Sequence, residues 1–440
     1  MSHQAFIARR QRLLAQMGNG VAILPTAPER VRNSDTHHPY RFDSYFWYLT
    51  GFPEPEAVLV LVGGQGDSAP QSLLFCREKD ATREVWDGFR YGPEAAKTAF
   101  GLDAAYPMSE LEARLPELLA NRDTLWHSLG VDAQWDQRMG GIINALRGQA
   151  RKGLRPPRAV HDLHAALDAM RRVKDDHEID LLRQSCAIAC AGHVRAMRAV
   201  GGRARGSMAE YELEAELSYE FRRRGADAHA YPPIVASGAS ACILHYTENN
   251  RLMGEHSLVL IDAGCELQGY AADITRTFPV SGRFTGPQRE AYEIVLAAQA
   301  AAFAVIRPGA AFVDYHDAAV RVLTQGMIDL GLLQGSVDGL IESDAYQRFY
   351  MHRTGHWLGL DVHDAGEYKD GDDWVRLLPG MTLTVEPGLY IPPAADVPAH
   401  LHGFGIRIED DVRVTVDGLE NLTAAAPKTV AEIEAVMRHD

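Results

Sequence analysis

Four carboxylates and one histidine stand in sequence contexts that indicate a metal centre. Asp262 ends the apolar run LVLID, and Asp273 follows it in the run AADITRTF. His356, Glu386 and Glu409 come later in the chain, in that order. Hard divalent cations prefer oxygen ligands, and four carboxylates with one imidazole supply enough donors and negative charge for two of them. The chemistry that such a pair of cations supports is the activation of water for hydrolysis.

Each of these residues taken singly has a simpler explanation. An aspartate before Ala-Gly is usually a turn residue, and Glu409 followed by two aspartates would usually be a solvated edge. The whole set favours a metal site, because an acidic side chain at the inner end of an apolar strand is costly unless it is paired or metal-bound. His352 and His356 have the spacing of a helical zinc site, but no glutamate follows His352 and nearby glycines argue against a helix.

Strand patterns predict how the carboxylates come together. The run SLVLID alternates so that Asp262 shares one strand face with two leucines, and Asp273 opens a second alternating run after a turn at Gly269. A hairpin of this kind places the two aspartates side by side. Glu386 and Glu409 lie in two further alternating runs. Each half of the region is therefore predicted to donate two carboxylates to a shared centre.

A change of composition near residues 171–176 divides the chain into two predicted domains, 1–173 and 174–440. The first combines apolar strand runs with amphipathic helices, which is typical of an α/β domain. The second repeats a pattern of two long helices followed by strands, and it is predicted to form two helix-helix-hairpin halves. Helix starts are predicted at the capping boxes Asp175–Glu178 and Ser207–Glu210 and at the run Thr285, Pro287 and Gln288.

Composition narrows the classes of partner. The chain has 440 residues, 46% of them hydrophobic, which is enough for two or three domains with separate cores. Its formal charge of −15 disfavours nucleic acid and anionic membrane surfaces and suits a cationic peptide amino terminus. The five scattered cysteines form no C-x-x-C pair, which favours a cytoplasmic location. The first residues carry arginines in place of a long apolar run, so they predict an amphipathic helix and neither a secretory signal nor a membrane span.

The order and context of the five residues resemble the dinuclear pita-bread metallopeptidases, and most closely the bacterial aminopeptidase P (Xaa-Pro aminopeptidase) branch. The resemblance covers essentially the whole chain. It implies an N-terminal α/β access domain related to creatinase and prolidase and a C-terminal pita-bread catalytic domain, an α/β (α+β) fold with pseudo-twofold halves. The matching strings are YRFDSYFWYLTGFPEPEAVLVL, ILHYTENN, LVLIDAGCE, DITRTFPVSG, HWLGLDVHD, TVEPGLY and GIRIEDD.

The resemblance assigns a role to each metal ligand. Asp273 and Glu409 would bridge two divalent ions, Asp262 would complete one ion, and His356 with Glu386 would complete the other. The oxygen-rich set favours Mn(II) over Zn(II). A hydroxide between the ions would attack the substrate carbonyl. The string HRTGH departs from the HGLGH that prolidase usually has before the catalytic histidine, so the loop beside the substrate is expected to differ.

Further residues are assigned to the substrate by the same resemblance. His363 would hydrogen-bond the substrate carbonyl or the developing oxyanion, and Glu386 would carry the proton to the leaving proline nitrogen. Arg407 would orient acidic neighbours or substrate. Trp86 would wall the cleft of a neighbouring subunit in a homo-oligomer, a dimer or tetramer, with a buried core tryptophan as the alternative. The residues expected to contact or flank the substrate are His245, His352, Tyr231, Tyr390 and Trp86.

The expected activity is release of the N-terminal residue from peptides that have proline in the second position. Three alternatives stay open at this point. A prolidase, which cleaves Xaa-Pro dipeptides, has the same five ligands. A metal-free creatinase-like hydrolase and a non-catalytic binding module share the fold, but such proteins usually lose the ligands that this chain keeps.

Overall fold

The chain, analysed as a computed structural model that describes residues 3–202 and 207–438, divides into two compact units. These units are Met1–Asp168 and Ala169–Asp440. The boundary predicted from the sequence lies a few residues further along, after residue 173. Within the described ranges, no helix is both long enough and apolar enough to cross a bilayer.

The first unit is an α/β structure built on one mixed sheet. Its strands lie in the order β6-β5-β4-β1-β7-β8, with the pairs β1–β4 and β4–β5 antiparallel and the other pairs parallel. Its helices are α1 (Gln4–Met17), α2 (Ser44–Thr50), α3 (Ala81–Asp87), α4 (Gly92–Phe100), α5 (Leu111–Leu119), α6 (Ala133–Arg147) and α7 (Leu163–Arg171), which runs past the boundary. Its strands are β1 (Gly20–Pro25), β2 (Val31–Asn33), β3 (Thr36–His37), β4 (Val58–Val62), β5 (Gln71–Cys76), β6 (Ala104–Pro107), β7 (Thr124–Trp126) and β8 (Ala159–His161).

Continuous apolar runs form the centre of this sheet, as the sequence predicts. Strands β1 and β4 are buried along almost their whole length because helices or loops cover both faces. Helices α5 and α6 present Leu115 and Ile142 to the same core as Val60 of the sheet. The amphipathic runs SELEARLPELLANR and QRMGGIINALRGQARKG, whose patterns predict helices, overlap α5 and α6.

The second unit contains the predicted carboxylates. Its helices are α8 (Asp176–Gly201), α9 (Glu210–Arg223), α10 (Gly286–Val305), α11 (Asp314–Asp329), α12 (Val337–Glu342) and α13 (Val430–Met437). Its strands are β9 (Ala228–His229), β10 (Ile234–Ser237), β11 (Leu258–Asp262), β12 (Cys265–Leu267), β13 (Tyr270–Ala271), β14 (Thr275–Pro279), β15 (Lys369–Asp370), β16 (Asp373–Trp374), β17 (Thr382–Val385), β18 (Gly388–Ile391), β19 (Phe404–Arg407), β20 (Asp410–Val414) and β21 (Leu419–Asn421).

An interrupted hairpin follows helices α8 and α9. Strand β11 pairs antiparallel with β14, and Asp262 lies opposite Thr275. Beyond this point the chain continues as the shorter pair β12–β13, which turns at Gln268 and Gly269. Both turn residues have positive φ, of 51° and 82°, as a two-residue hairpin turn requires. The predicted hairpin and its glycine turn are confirmed, and Asp273 lies at the interruption that faces Asp262.

A second interrupted hairpin follows α10 and α11. Strand β17 pairs with β20, and the chain continues as the pair β18–β19. Glu386 lies between β17 and β18, and Glu409 lies between β19 and β20. Both hairpins therefore carry one acidic residue at the interruption of each strand, which is the predicted helix-helix-hairpin repeat.

Two of the three predicted helix starts are confirmed. Asp175 with Glu178 forms a capping box before α8, and Thr285 with Gln288 forms one before α10. The box predicted at Ser207–Glu210 is wrong, since α9 begins at Glu210 and the N–H of Ala209 donates to Glu212. The carboxylate of Glu210 is buried and accepts hydrogen bonds from the backbone N–H groups of Ser237 and Arg251, so it is not available as a cap.

Candidate active site

One cavity of the second unit collects the predicted ligands. Its volume is about 800 Å³. The two interrupted hairpins supply the carboxylates at their interruptions, and the segment before β17 supplies the imidazole. The predicted ligands on its wall are Asp262, Asp273, His356, Glu386 and Glu409.

Donor atoms from both hairpins converge at the centre of the cavity. Ligand atoms of Asp273, His356 and Glu409 all lie within 4.8 Å of one another. Nε2 of His356 lies 3.4 Å from Oδ2 of Asp273 and 3.6 Å from Oε1 of Glu386. The other ring nitrogen of His356 is 2.9 Å from the carbonyl oxygen of Trp357, a contact that orients the ring toward the carboxylates.

Tyr231 and Arg407 fix the two aspartates of the first hairpin. The hydroxyl of Tyr231 lies 2.6 Å from one oxygen of Asp262 and 2.6 Å from one oxygen of Asp273. Nη2 of Arg407 donates to the second oxygen of Asp262 at 2.5 Å. The predicted orienting role of Arg407 toward an acidic neighbour agrees with this geometry.

The same arginine begins a chain of contacts that reaches His352. Nη1 of Arg407 donates to the hydroxyl of Tyr390 at 2.9 Å, and that hydroxyl lies 2.8 Å from Nε2 of His352. Burial, with a further contribution from the Arg407 charge, lowers the pKa of His352 to about 3, so the ring is neutral. Tyr390 is buried, and its hydroxyl contacts His352 and Arg407; its expected contact with substrate stays a prediction.

Hydrogen bonds position the two glutamates of the second hairpin. Thr275 donates to Oε2 of Glu409 at 2.6 Å. The N–H of Glu386 donates to the carbonyl of Thr354 at 2.8 Å, and the hydroxyl of Thr384 reaches its carboxylate at 3.4 Å. Thr384 and Glu386 are two residues apart, so strand alternation places the hydroxyl and the carboxylate on the same side of the sheet.

Two aspartates that follow Glu409 are buried. The carboxylate of Asp410 pairs with Arg276 at 2.7 Å and with Lys428 at 2.6 Å. Asp411 accepts a hydrogen bond from the N–H of Asp273 at 2.9 Å and so ties the second hairpin to the first. Glu409, Asp410 and Asp411 are therefore buried and do not form the solvent-exposed edge that three consecutive acidic residues usually indicate.

The donor set fits divalent cations. Burial, followed by the nearby Asp273 carboxylate, raises the pKa of Glu409 well above its usual range. Burial also raises the pKa of Glu386 to about 7, although the charges of His356 and Arg407 work against this shift. Packing these carboxylates together is unfavourable unless positive charge compensates them, and bound divalent cations stabilise the ionised forms.

Two histidines line the cavity at its solvent side. The ring of His363 packs edge-on against that of His356, with 4.2 Å between ring centroids. Burial and the neighbouring His356 lower the pKa of His363. His245 lies on the cavity wall and is exposed. The structure thus brings together the predicted ligands with His245, His352, His363, Tyr231 and Arg407.

An aromatic wall of this cavity was missed by the sequence analysis. Phe312, Tyr315 and Trp374 line it together with Tyr368. Phe312 packs against Tyr315 with 5.3 Å between ring centroids and against Tyr368 with 4.9 Å. Since these residues come from separate segments with no shared motif, only an excess of aromatics around 312–315 and 368–374 could have signalled them.

Trp86 belongs to the other unit. It lies on α3 and its side chain is 82% exposed, as is much of Val85 beside it. The alternative of a buried core tryptophan is therefore wrong. Its expected role beside the cleft of a neighbouring subunit stays a prediction.

Two family models match the chain. Metallopeptidase family M24 matches residues 180–416, and the aminopeptidase P N-terminal domain matches residues 6–126. The Xaa-Pro aminopeptidase of Escherichia coli K12 is 47% identical over 439 residues, which cover 99% of this chain and 98% of that one. The chain belongs to metallopeptidase family M24. The Xaa-Pro aminopeptidase of Haemophilus influenzae is another similar M24 relative, 44% identical over 99% of this chain and 97% of its own length.

Solved structures agree with this M24 assignment. Pseudomonas aeruginosa aminopeptidase PepP superposes with a TM-score of 0.96 at 49% identity, covering 99% of this chain and 98% of that one. A zinc-substituted E. coli aminopeptidase P in complex with product superposes with a TM-score of 0.95 at 46% identity and the same coverage. This M24 protein thus has an N-terminal aminopeptidase P domain and a C-terminal pita-bread domain.

Proposed function

We propose that this M24 enzyme releases the N-terminal residue from peptides with proline in the second position, using two divalent cations, with Mn(II) favoured. The observation that carries the proposal is the convergence of four carboxylates and His356 on one cavity that His245, His352 and His363 also line. Full-length similarity to Xaa-Pro aminopeptidases supports the substrate class. A metal-free creatinase-like hydrolase or a binding module has no support, because all five ligands are present.

Five residues would hold the cations. Asp273 and Glu409 would bridge them, Asp262 would complete one site, and His356 with Glu386 would complete the other. When bound, two such cations supply Lewis acidity toward the scissile carbonyl and lower the pKa of water. Manganese is favoured over zinc because four of the five donors are carboxylates.

The remaining groups of the cavity would bind and orient the peptide. The ammonium group of the substrate would lie near Asp262, whose carboxylate Tyr231 and Arg407 hold in place. His245 and the neutral His352 would flank the proline ring. An amino terminus fixed beside an acidic group explains why such an enzyme removes one residue at a time.

Two groups would act on the reacting atoms. His363 would donate a hydrogen bond to the carbonyl oxygen as negative charge develops there. Glu386 would accept a proton at its carboxylate and pass it to the leaving proline nitrogen.

Peptide length separates this proposal from prolidase. A prolidase must bind the free carboxylate of a dipeptide, whereas an aminopeptidase P must leave that side open for the continuing chain. We expect Xaa-Pro-Yaa tripeptides and longer peptides to have a higher kcat/KM than Xaa-Pro dipeptides, and alanine in place of proline to nearly abolish turnover. Mass spectrometry of timed digests with added Mn(II) measures both. A preference for dipeptides of about tenfold, or roughly 1.4 kcal/mol, would establish prolidase activity in place of the proposed one.

Assembly and location complete the proposal. We propose a cytoplasmic homo-oligomer, a dimer or tetramer, in which Trp86 walls the cleft of a neighbouring subunit. The exposed Trp86 and Val85 side chains on α3 support a surface that another subunit covers. The scattered cysteines support a reducing compartment.

Replacing Trp86 tests the shared cleft. Trp86→Ala should raise KM for longer peptides and leave the thermal unfolding midpoint unchanged, because the exposed side chain contributes little packing within one chain. Steady-state kinetics on peptides of increasing length, with thermal unfolding in parallel, gives both results. Val416→Ala, at a side chain that is 82% exposed and lies outside α3, is the matched control. Unchanged kinetics for Trp86→Ala with a lowered unfolding midpoint would contradict the cleft role.

A further inference from the structure

A buried ion cluster lies beside the segment that joins His356 to His363. Asp364 accepts hydrogen bonds from Nη2 of Arg171 at 2.6 Å and from Nζ of Lys174 at 2.9 Å. All three side chains are only 1% exposed. Asp364 directly follows His363, whereas the two cations come from the end of α7 and the residues before α8. We name Asp364, Arg171 and Lys174 the Asp364 cluster.

Hydrogen bonds connect Asp364, at the end of this segment, to residues nearer its start. Its N–H donates to the carbonyl of Trp357 at 2.9 Å, and its Oδ1 accepts from the N–H of Asp361 at 3.2 Å. Nη2 of Arg171 also lies 2.8 Å from Oδ2 of Asp361. The segment 357–364 is therefore closed on itself and attached to Arg171 at two points.

The backbone of the segment packs directly on the Asp364 cluster. A Cβ atom built on Gly359 would lie 2.3 Å from Oδ2 of Asp364 and 3.0 Å from Cε of Lys174. Only glycine allows this approach, so the backbone between the two histidines has no side chain separating it from the ion pairs. A shift of Asp364 would move the backbone that carries His363.

Stability is a weak explanation for such a cluster. Removing a carboxylate and two cations from water costs free energy that their attraction often only offsets, and apolar packing is frequently as stable. What buried ion pairs do provide is a fixed geometry, since each group has only one set of partners. Asp364 directly follows His363 in the chain, so a fixed Asp364 restricts where the His363 ring can lie. That ring is edge-on to His356, with 4.2 Å between ring centroids.

We infer that the Asp364 cluster positions His363, holding its ring in place beside that of the proposed metal ligand His356. The inference rests on the proposed function, in which His363 stabilises charge on the substrate carbonyl. Asp364, Arg171 and Lys174 are not among the residues that line the cavity. They act on the reaction only through His363.

A double-mutant cycle tests this dependence in the Mn(II)-loaded enzyme with an Xaa-Pro-Yaa tripeptide. Asp364→Asn keeps the shape of the side chain and removes its charge. Alone it should lower kcat by about tenfold, with KM changed by less than about threefold and bound metal unchanged. In the His363→Ala background the same change should lower kcat by less than about twofold, because the residue that it positions is already gone. Bound metal is measured by plasma emission spectroscopy on each variant.

A second variant and a control accompany the cycle. Lys174→Met removes one charge of the cluster and keeps most of the apolar stem. Its effect on kcat should depend on His363 in the same way, and it replaces Asp364→Asn in the cycle if that variant folds poorly. Asp396→Asn makes the same chemical change in an exposed ion pair with Arg348 and should leave kcat unchanged in both backgrounds.

The outcomes separate the inference from the proposed function. An equal loss of kcat in both backgrounds overturns the positioning role, and so does loss of metal from Asp364→Asn. Near-normal activity of His363→Ala overturns the proposed role of His363, and the inference falls with it. If His363→Ala lowers kcat and Asp364→Asn lowers it by the same factor with or without His363, the proposed function stands and only the inference is rejected.

Discussion

Asp273→Asn is expected to abolish peptidase activity and to lower the metal content of the purified protein. Asp273 lies between the two halves of the site, with its carboxylate 3.4 Å from Nε2 of His356 and 2.6 Å from the hydroxyl of Tyr231. An amide bridges two cations poorly and removes one negative charge from the centre. Metal analysis after dialysis and tripeptide hydrolysis with added Mn(II) measure the two effects.

The control for this variant is Asp338→Asn, the same change in a side chain that is 82% exposed and outside the cavity. It should behave as the unmodified protein. If Asp273→Asn keeps activity within about tenfold, equivalent to roughly 1.4 kcal/mol in the activation barrier, Asp273 does not bridge the cations.

His363→Ala should lower kcat by about a hundredfold or more while bound metal stays unchanged. The ring of His363 lies against that of His356 on the cavity wall, and His363 is not a member of the possible metal-binding group Asp273, His356 and Glu409 found among the described residues. Its removal deletes a hydrogen bond to charge that develops in the transition state, so the loss should fall on kcat.

Metal analysis decides between two roles for this histidine. Loss of metal together with activity would make His363 a ligand and reject its assignment to the reaction. His400→Ala, a change of the same type at an exposed histidine outside the cavity, controls for general effects of removing an imidazole.

The sequence predicts much of the second unit because its signals are local. A strand reverses direction where Gln268 and Gly269 adopt positive φ, and alternation then decides which side chains share a face with Asp262 and Asp273. Capping residues such as Asp175 and Thr285 mark helix starts for the same reason, since the donor and acceptor are three residues apart. Where the local signal was ambiguous, at Ser207 and Glu210, the prediction was wrong because Glu210 found partners on another segment.

The predicted metal ligands also come from the sequence alone. Their residue types, their order and the apolar runs around them predict a hydrolytic metal centre, and the comparisons place the chain in the family that these features indicate. The fold adds no further metal-ligand group around this centre within residues 3–202 and 207–438.

What only the tertiary structure decided is the set of contacts that hold those ligands still. Arg407 binds Asp262 across 145 positions of sequence, and Arg171 binds Asp364 across 193. Neither pair shares a motif, because a hydrogen bond depends on distance and angle in space and leaves no period in the chain. The sequence does not predict the burial of Tyr390 for the same reason, because the burial of a side chain depends on the distant segments that pack around it. The sequence determined the chemistry available to this protein, and the packing of distant segments determined where each group can act.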